Sequence, residues 1–307
     1  PYPCLEQQPF VRVIDNMYYF INTPRYYAIN YGAYTKPDWP RWVVGDVADG
    51  HAQLVGYGGM GYDGNQREAT KIGGLSAVFV RDCGPTILSS NSDVWYSNVV
   101  WGRRHDPICP KWSDNVDPTI ICSGFNDPTV SFDRQGRVMV KSGDFRFAPL
   151  HWSRTLHYKD EYIVVELELT ATDELNLQEL YECIPYFADH RVIRSFDAAF
   201  DQTAVLQKAT RIDENGDVPM EPVTFRAVDI AAEHGPGSTV IFDREYTFTR
   251  TEPLRYRDAA SATRSFNLPL PAQMQTGQKH VLRYVILSHD AGVTEDRIRQ
   301  VVEEEDL

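Results

Sequence analysis

Several features are missing from this 307-residue sequence, and each absence narrows its function. No run approaches the roughly 18 apolar residues that a membrane-crossing helix needs, and no charged-then-apolar leader opens the chain. Positive charge is scarce: 30 Lys and Arg against 43 Asp and Glu give a net charge of −13. That argues against nucleic acid or an anionic membrane as a partner, because binding phosphate needs a basic surface. Cysteines are few and odd in number (Cys4, Cys83, Cys109, Cys122 and Cys183), with no C-x-x-C spacing. A zinc ribbon and a thioredoxin motif are therefore excluded, and a chain this long needs no disulfide framework. Cys109 and Cys122 flank one loop and are the pair to watch in an oxidising compartment.

Catalytic and metal signatures are missing too. The eight histidines show neither H-x-H nor H-E-x-x-H, so neither a metal nor another cofactor is expected. There is no G-x-S-x-G, and Ser76 lies inside an apolar strand, the wrong setting for a nucleophile elbow. Gly56–Gly61 fits G-x-G-x-x-G, but Asp63-Gly64 interrupts the place where a helix should start, and no βαβ units follow. A glycine-rich rim loop is the reading that remains. Helical periodicity is absent until the C-terminal end, where Thr294 can cap a helix with Ile298, Val301 and Val302 on one stripe. The acidic Glu303–Asp306 tail opposes that helix's dipole and is expected to fray.

What the chain has is strands. Aromatics make up 12% of it, and runs rich in Tyr, Val and Ile recur between turn residues. Val11–Ile14, Met17–Ile21 and Tyr26–Tyr31 come first; Leu75–Val80 and Thr86–Leu88 follow around a Cys-Gly-Pro turn. Thr129–Phe132 and Val138–Lys141 read as a hairpin. Tyr162–Thr170 alternates, with Ile163, Val165, Leu167 and Leu169 inward and Glu166 and Glu168 on a solvated face. Leu177–Tyr186, Val192–Phe200, Ala204–Ile212, Val223–Ile230, Thr239–Thr249 and His280–Leu287 continue the series, the last reading as buried on both faces. About 15 to 18 strands and one helix predict an all-β fold, a large antiparallel β-sandwich, since more than about ten strands normally split into two packed sheets. No fixed repeat argues for a propeller, and no linker composition appears. The expectation is a single domain over 1–307, with a soft seam near Gly124–Asp127.

Lys71–Gly102 organises this pattern: a buried hairpin that delivers aromatic residues to a rim. The loop-rich first third gathers Trp39, Trp42, Tyr57, Tyr62, Trp95, Tyr96, Trp101 and Trp112, with His51, Arg67, Arg103, Arg104 and His105 among them. Flat rings stack on sugar C–H faces, and Arg forks bind carboxylate or sulfate. The bland alternative is that most of these rings are core residues beneath long loops.

The segments YYAINY, GGLSAVFVRDCGPTILS, YIVVELELT and LYECIPYF resemble the β-supersandwich, the C-terminal region of two-domain polysaccharide lyases of the heparinase II/III and hyaluronate-lyase types. The resemblance is one of pattern over most of the chain, and no family motif transfers a catalytic residue. It implies a domain lining a glycan cleft, acting on an acidic polysaccharide by β-elimination, with an α/α toroid domain or a second copy of the chain as partner. The location implied is secreted or periplasmic. The chain opens with PYPCLEQQPF and no initiator Met, so a mature form, a fragment or the C-terminal part of a longer protein is expected. On this reading Tyr57 or Tyr62 is the base and acid, His51 or His105 its partner, and Arg67 or Arg103 neutralises the uronate carboxylate. Trp39, Trp42, Trp95, Trp101, Trp112 and Arg104 complete the binding set. The alternatives are a non-catalytic glycan-binding or assembly module, and a sugar-isomerising or hydrolysing enzyme, which would show a carboxylate pair facing a cleft.

Overall fold

The computed structural model describes residues 8–14, 18–31, 75–88, 100–103, 120–122, 129–145, 148–209, 221–233, 235–251 and 263–307. Among them are twenty strands and one helix, and every pairing between strands is antiparallel. The fold is all-β, as the alternation predicts, and it is built as packed sheets.

The first five strands form one sheet in chain order: β1 (Phe10–Ile14), β2 (Tyr18–Asn22), β3 (Tyr26–Tyr31), β4 (Leu75–Val80) and β5 (Gly84–Leu88). The turn from β2 to β3 is closed by Thr23, whose hydroxyl accepts from the backbone N–H of Arg25 and Tyr26. Tyr19, Ile21, Tyr26, Ala28, Leu75, Val78, Val80 and Ile87 form this sheet's buried face.

The second sheet has thirteen strands. Its spine runs β7 (Ile120–Cys122), β6 (Val100–Arg103), β13 (Glu179–Phe187), β18 (Thr263–Pro269), β17 (Gly237–Thr251), β20 (Lys279–His289), β11 (Tyr162–Ala171), β10 (Leu150–Tyr158), β9 (Val138–Asp144), β8 (Thr129–Phe132). A branch adds β16 (Val223–Ala231), β14 (Val192–Phe196) and β15 (Gln202–Gln207). β12 (Leu175–Asn176) and β19 (Gln273–Met274) make a separate short pair. At β8–β9 the predicted hairpin is present. Asp133 Oδ1 accepts from the N–H of Arg137 and Val138, and Gly136 takes φ +67, where a Cβ would meet Val11 at 2.8 Å.

The long sheet folds over on itself at β17. Residues 237–242 of β17 pair with β20, while 249–251 pair with β18. The portion holding β6, β7, β13 and β18 therefore faces the portion holding β9, β10, β11 and β20. The five-stranded sheet covers the same interior, and its Tyr26 hydroxyl donates to the Lys159 carbonyl at 2.7 Å. Between them lies the main core, including Trp152, Leu156, Leu167, Phe225, Phe242, Phe248, Phe266 and Tyr284. Full burial of each large side chain is worth about 1.5–3 kcal/mol.

The opposite face of the β11–β20–β17 region is covered by α1 (Glu295–Glu305). Ile298 and Val301 bury Val164, Val285, Leu287 and Ile241, so β11 and β20 are two-sided there. This refines two expectations. Tyr162 and Val164 on the supposed solvent side of β11 are buried, and β20 is buried on both faces only toward its C-terminal end, since Val281 is 53% exposed. The expected fraying of the acidic tail is corrected outright. The helix continues to Glu305, which is 7% exposed and held by Lys159, by the Tyr162 hydroxyl (2.7 Å) and by Arg283 (3.1 Å). Those cations and the phenol outweigh the unfavourable dipole end. The seam near 124–127 lies outside the described residues.

Candidate functional site

The interior of a sandwich this size should be apolar, yet two cations stand side by side in it. Lys141 on β9 and Arg154 on β10 are directly opposed in register, on the inward face, and both are fully buried. Like charges so placed repel, and each also bears a desolvation cost. The fold divides them between the two covering layers. Arg154 reaches β13, where Nη1 and Nη2 donate to Glu182 Oε1 and Oε2 at 2.7 and 2.8 Å. The Tyr284 hydroxyl on β20 donates to Glu182 Oε1 at 2.9 Å. Lys141 reaches β3, where its ammonium donates to Asn30 Oδ1 at 2.7 Å; Asn30 Nδ2 in turn donates to the Tyr158 hydroxyl at 3.0 Å.

The Arg154–Glu182 pair also measures the folding-over of the sheet. β10 and β13 are five strand steps apart along the spine, about 24 Å in a flat sheet at about 4.8 Å per step. Their side chains meet at 2.7 Å only because the sheet closes across the core.

Electrostatics differ between the two cations. Burial, with Arg154's charge added, holds the Lys141 ammonium well below the usual lysine range. Burial works the same way on Arg154, but Glu182 and Tyr284 more than offset it, so the guanidinium stays charged. Burial pushes the phenols of Tyr158 and Tyr19 far upward, which keeps them protonated and unsuits them as bases. This cluster ties three layers together, but it is sealed from solvent.

Two of the sequence-predicted site residues fall within the described chain. Trp101 and Arg103 lie on β6, which pairs with β13. Trp101 stands opposite Tyr181 and Arg103 opposite Glu179, and Glu182 is opposite Val100. Tyr181 and Glu179 are half-buried, and the Tyr181 hydroxyl donates to Glu179 Oε2 at 3.2 Å. β6, which carries Trp101 and Arg103, therefore pairs with the strand that carries the buried carboxylate. Trp39, Trp42, His51, Tyr57, Tyr62, Arg67, Trp95, Arg104, His105, Trp112 and the Gly56–Gly61 loop lie outside the described residues, as does Cys109. Cys83 is a free, half-buried thiol at the β4–β5 turn, pushed up by burial. Glu166 is exposed, and Glu168 accepts from Lys279 at 2.9 Å, so this strand face is solvated as read. Among the described residues no group of three or more His, Cys, Asp or Glu could hold a metal.

Sequence reasoning missed Lys141, Arg154, Glu182 and Tyr284. A signal existed for the first three. In LHWSRTLHY, Arg154 occupies a position of the apolar alternation Leu150, Trp152, Leu156, Tyr158. Lys141 and Glu182 likewise interrupt inward positions of VMVKSGD and ELYECIPYF. A charge on an apolar face flags a buried ion pair, though it does not name the partner.

No family model matches the sequence, and no curated protein matches it. Among solved structures, a putative aldose 1-epimerase from Escherichia coli K12 is 10% identical, with 73% of this chain and 94% of that chain covered and a TM-score of 0.45. A galactose mutarotase-like protein from Lactobacillus casei is 9% identical, with 89% and 100% covered and a TM-score of 0.48. A heparan sulfate lyase, HepC, from Pedobacter heparinus is 9% identical, with 93% of this chain but 37% of that chain covered and a TM-score of 0.48. At these values the likeness is one of strand arrangement and carries nothing about activity.

Proposed function

We propose that this chain is a carbohydrate-active β-sandwich that takes an acidic glycan, as part of a lyase-type enzyme that cleaves it by β-elimination. The observation supporting this reading is the register of β6 on β13, which brings Trp101 beside Tyr181 and Arg103 beside Glu179 along one stretch of sheet. Rings with Arg and Glu at adjacent positions are the combination that stacks on a sugar face and pairs with its substituents. In the elimination, a base, Tyr57 or Tyr62 with His51 or His105 as its partner, takes the proton at C5. The C4–O bond breaks, its electrons leave with the oxygen, and the electrons of the C5–H bond form the C4=C5 double bond. A proton from the same tyrosine, now acting as acid, completes the leaving group. Arg67 or Arg103 neutralises the uronate carboxylate and so makes the C5 proton removable. Trp39, Trp42, Trp95, Trp112 and Arg104 line the binding surface on this reading.

The test is incubation with uronate polysaccharides while the absorbance of unsaturated product is followed. Product is expected, and it should disappear in Tyr57→Phe or Tyr62→Phe. Product that survives both substitutions removes the base assignment. Trp101→Ala should weaken glycan binding about fivefold, the order of one stacking contact near 1 kcal/mol. The second reading, a non-catalytic binding or assembly module, draws on the sealed Arg154–Glu182–Tyr284 cluster, which secures the sandwich and presents nothing to a ligand. Glycan binding without product would favour it.

A further inference from the structure

We infer that a second site, on the α1 face and separate from the β6–β13 edge, binds a neutral polyhydroxylated ligand of one or two sugar rings. A cavity of about 560 Å³ opens where the N-terminus of α1 meets β14, β15 and the end of β16. That volume falls within the roughly 300–1,000 Å³ of small-molecule sites.

Its floor is a fixed carboxylate. Asp229 lines the cavity yet is 1% exposed. Oδ1 accepts from the Thr239 hydroxyl at 3.1 Å and lies 2.8 Å from His289 Nε2, and Oδ2 accepts from Arg194 Nη1 at 3.0 Å. A carboxylate has about four acceptor positions, so about one remains, on Oδ2. His289 stands behind it, 8% exposed, with Nδ1 buried and without a hydrogen-bond partner among the described residues. Three neighbours therefore hold Asp229 in one orientation, the preorganisation a polar recognition group needs.

The walls supply groups with unused capacity. Arg194 is one-quarter exposed and has N–H groups beyond those given to Asp229 and the Glu233 carbonyl. The side chains of Gln202 and Glu233 are exposed and form no hydrogen bond within the described protein. Phe196, buried under α1, gives one apolar wall.

Charge decides the ligand class. Four lining carboxylates (Asp229, Glu233, Glu295 and Asp296) would repel a uronate, sulfate or phosphate. An ammonium entering to the floor would meet Arg194 and the first-turn amides at the helix N-terminus. Hydroxyl groups donate to the carboxylates and accept from the guanidinium and the Gln202 amide, so a neutral polyol satisfies both sets. The sugar C–H face fits the Phe196 wall.

The test is a titration of the full chain, by saturation-transfer NMR and calorimetry. The probes are D-glucose, D-galactose, D-mannose, N-acetyl-D-glucosamine and lactose, with D-glucosamine and D-galacturonate as charged analogues. At least one neutral sugar should bind in the millimolar range or tighter, and about tenfold better than either charged analogue. Glu233→Gln and Gln202→Ala, both at exposed positions that leave the fold intact, should each weaken it several-fold. Glu174→Gln, on the exposed β11–β12 turn, should not. The inference is overturned if no neutral sugar binds at tens of millimolar, if a charged analogue binds as well, or if both wall variants bind like the parent. None of these outcomes bears on product formation from uronate polysaccharides, so the two proposals fail separately.

Discussion

Replacing Arg154 with methionine keeps most of the side chain's length and removes its charge from the centre of the sandwich. Glu182, 0% exposed, then loses hydrogen bonds of 2.7 and 2.8 Å. Removing one partner of a buried ion pair costs about 3–5 kcal/mol, because the remaining charge is left desolvated. For a chain of about 300 residues each kcal/mol is worth about 2 °C of melting temperature, so a fall of about 6–10 °C is expected. Denaturant unfolding should show the same loss as a lower midpoint with an unchanged slope. The decisive comparison is the double variant Arg154→Met/Glu182→Leu. With both charges gone the desolvation cost goes too, and stability should return to within about 1–2 kcal/mol of the parent. Removing Arg154 also takes away one of the two causes that hold Lys141 down, so the Lys141 ammonium should titrate at higher pH. A single variant that costs less than about 1 kcal/mol, or a double variant no more stable than the single, would refute the assignment of Arg154–Glu182 as a buried pair with strong coupling.

Glu305→Gln should cost about 1–3 kcal/mol at neutral pH by loosening the charge-assisted bonds from Lys159 and Arg283, read as loss of helicity and a lower unfolding midpoint. Burial acts to raise the Glu305 carboxyl, but the hydrogen bonds from Lys159 and Tyr162 hold it below the usual range. Its stabilising contribution is therefore full above the unfolded pKa of about 4.3 and is lost as pH falls through the lower folded value. The gap between parent and variant should therefore narrow as pH falls below the unfolded value, and a gap that stays constant through the acid range would contradict the linkage. Gly237→Ala should cost at least about 1–3 kcal/mol, because its Cβ would stand 2.6 Å from Ala231 Cα and the Ile230 carbonyl, both backbone atoms. Thr294→Ala should cost about 1 kcal/mol through the lost cap on Arg297 N, visible as reduced protection of the first-turn amides.

Local features were legible in the sequence because they depend on neighbours a few residues away. The β4–β5 hairpin, the alternation of β11 and the capped helix all follow from patterns within one short window. β10 escaped because Arg154 breaks its apolar column, and β18, TRSFNLP, escaped because a Pro and two central polar residues blur its period. The folding-over of the sheet at β17 could not be read at all. It depends on which strand pairs with each half of a 15-residue segment, a choice made by partners far along the chain. The acidic tail misled for the same reason: its compensating cations, Lys159 and Arg283, sit on other elements. Of the predicted site residues, Trp101 and Arg103 could be picked out from composition, whereas the pairing of their strand β6 with β13 is a matter of register.

The order of the long sheet has a consequence for synthesis. β20 lies between β11 and β17, yet it is the last of the three to be made. Until Lys279–His289 leaves the ribosome, β11 and β17 each carry an open edge of unpaired amides and carbonyls beside apolar side chains. The 118 residues that follow Ala171, up to and including His289, take about 6–24 s at about 5–20 residues per second. For that interval β11 waits with one edge open, and once β17 is made the sheet's central slot stands empty until β20 arrives, a state that invites pairing with a neighbouring chain and capture by chaperones.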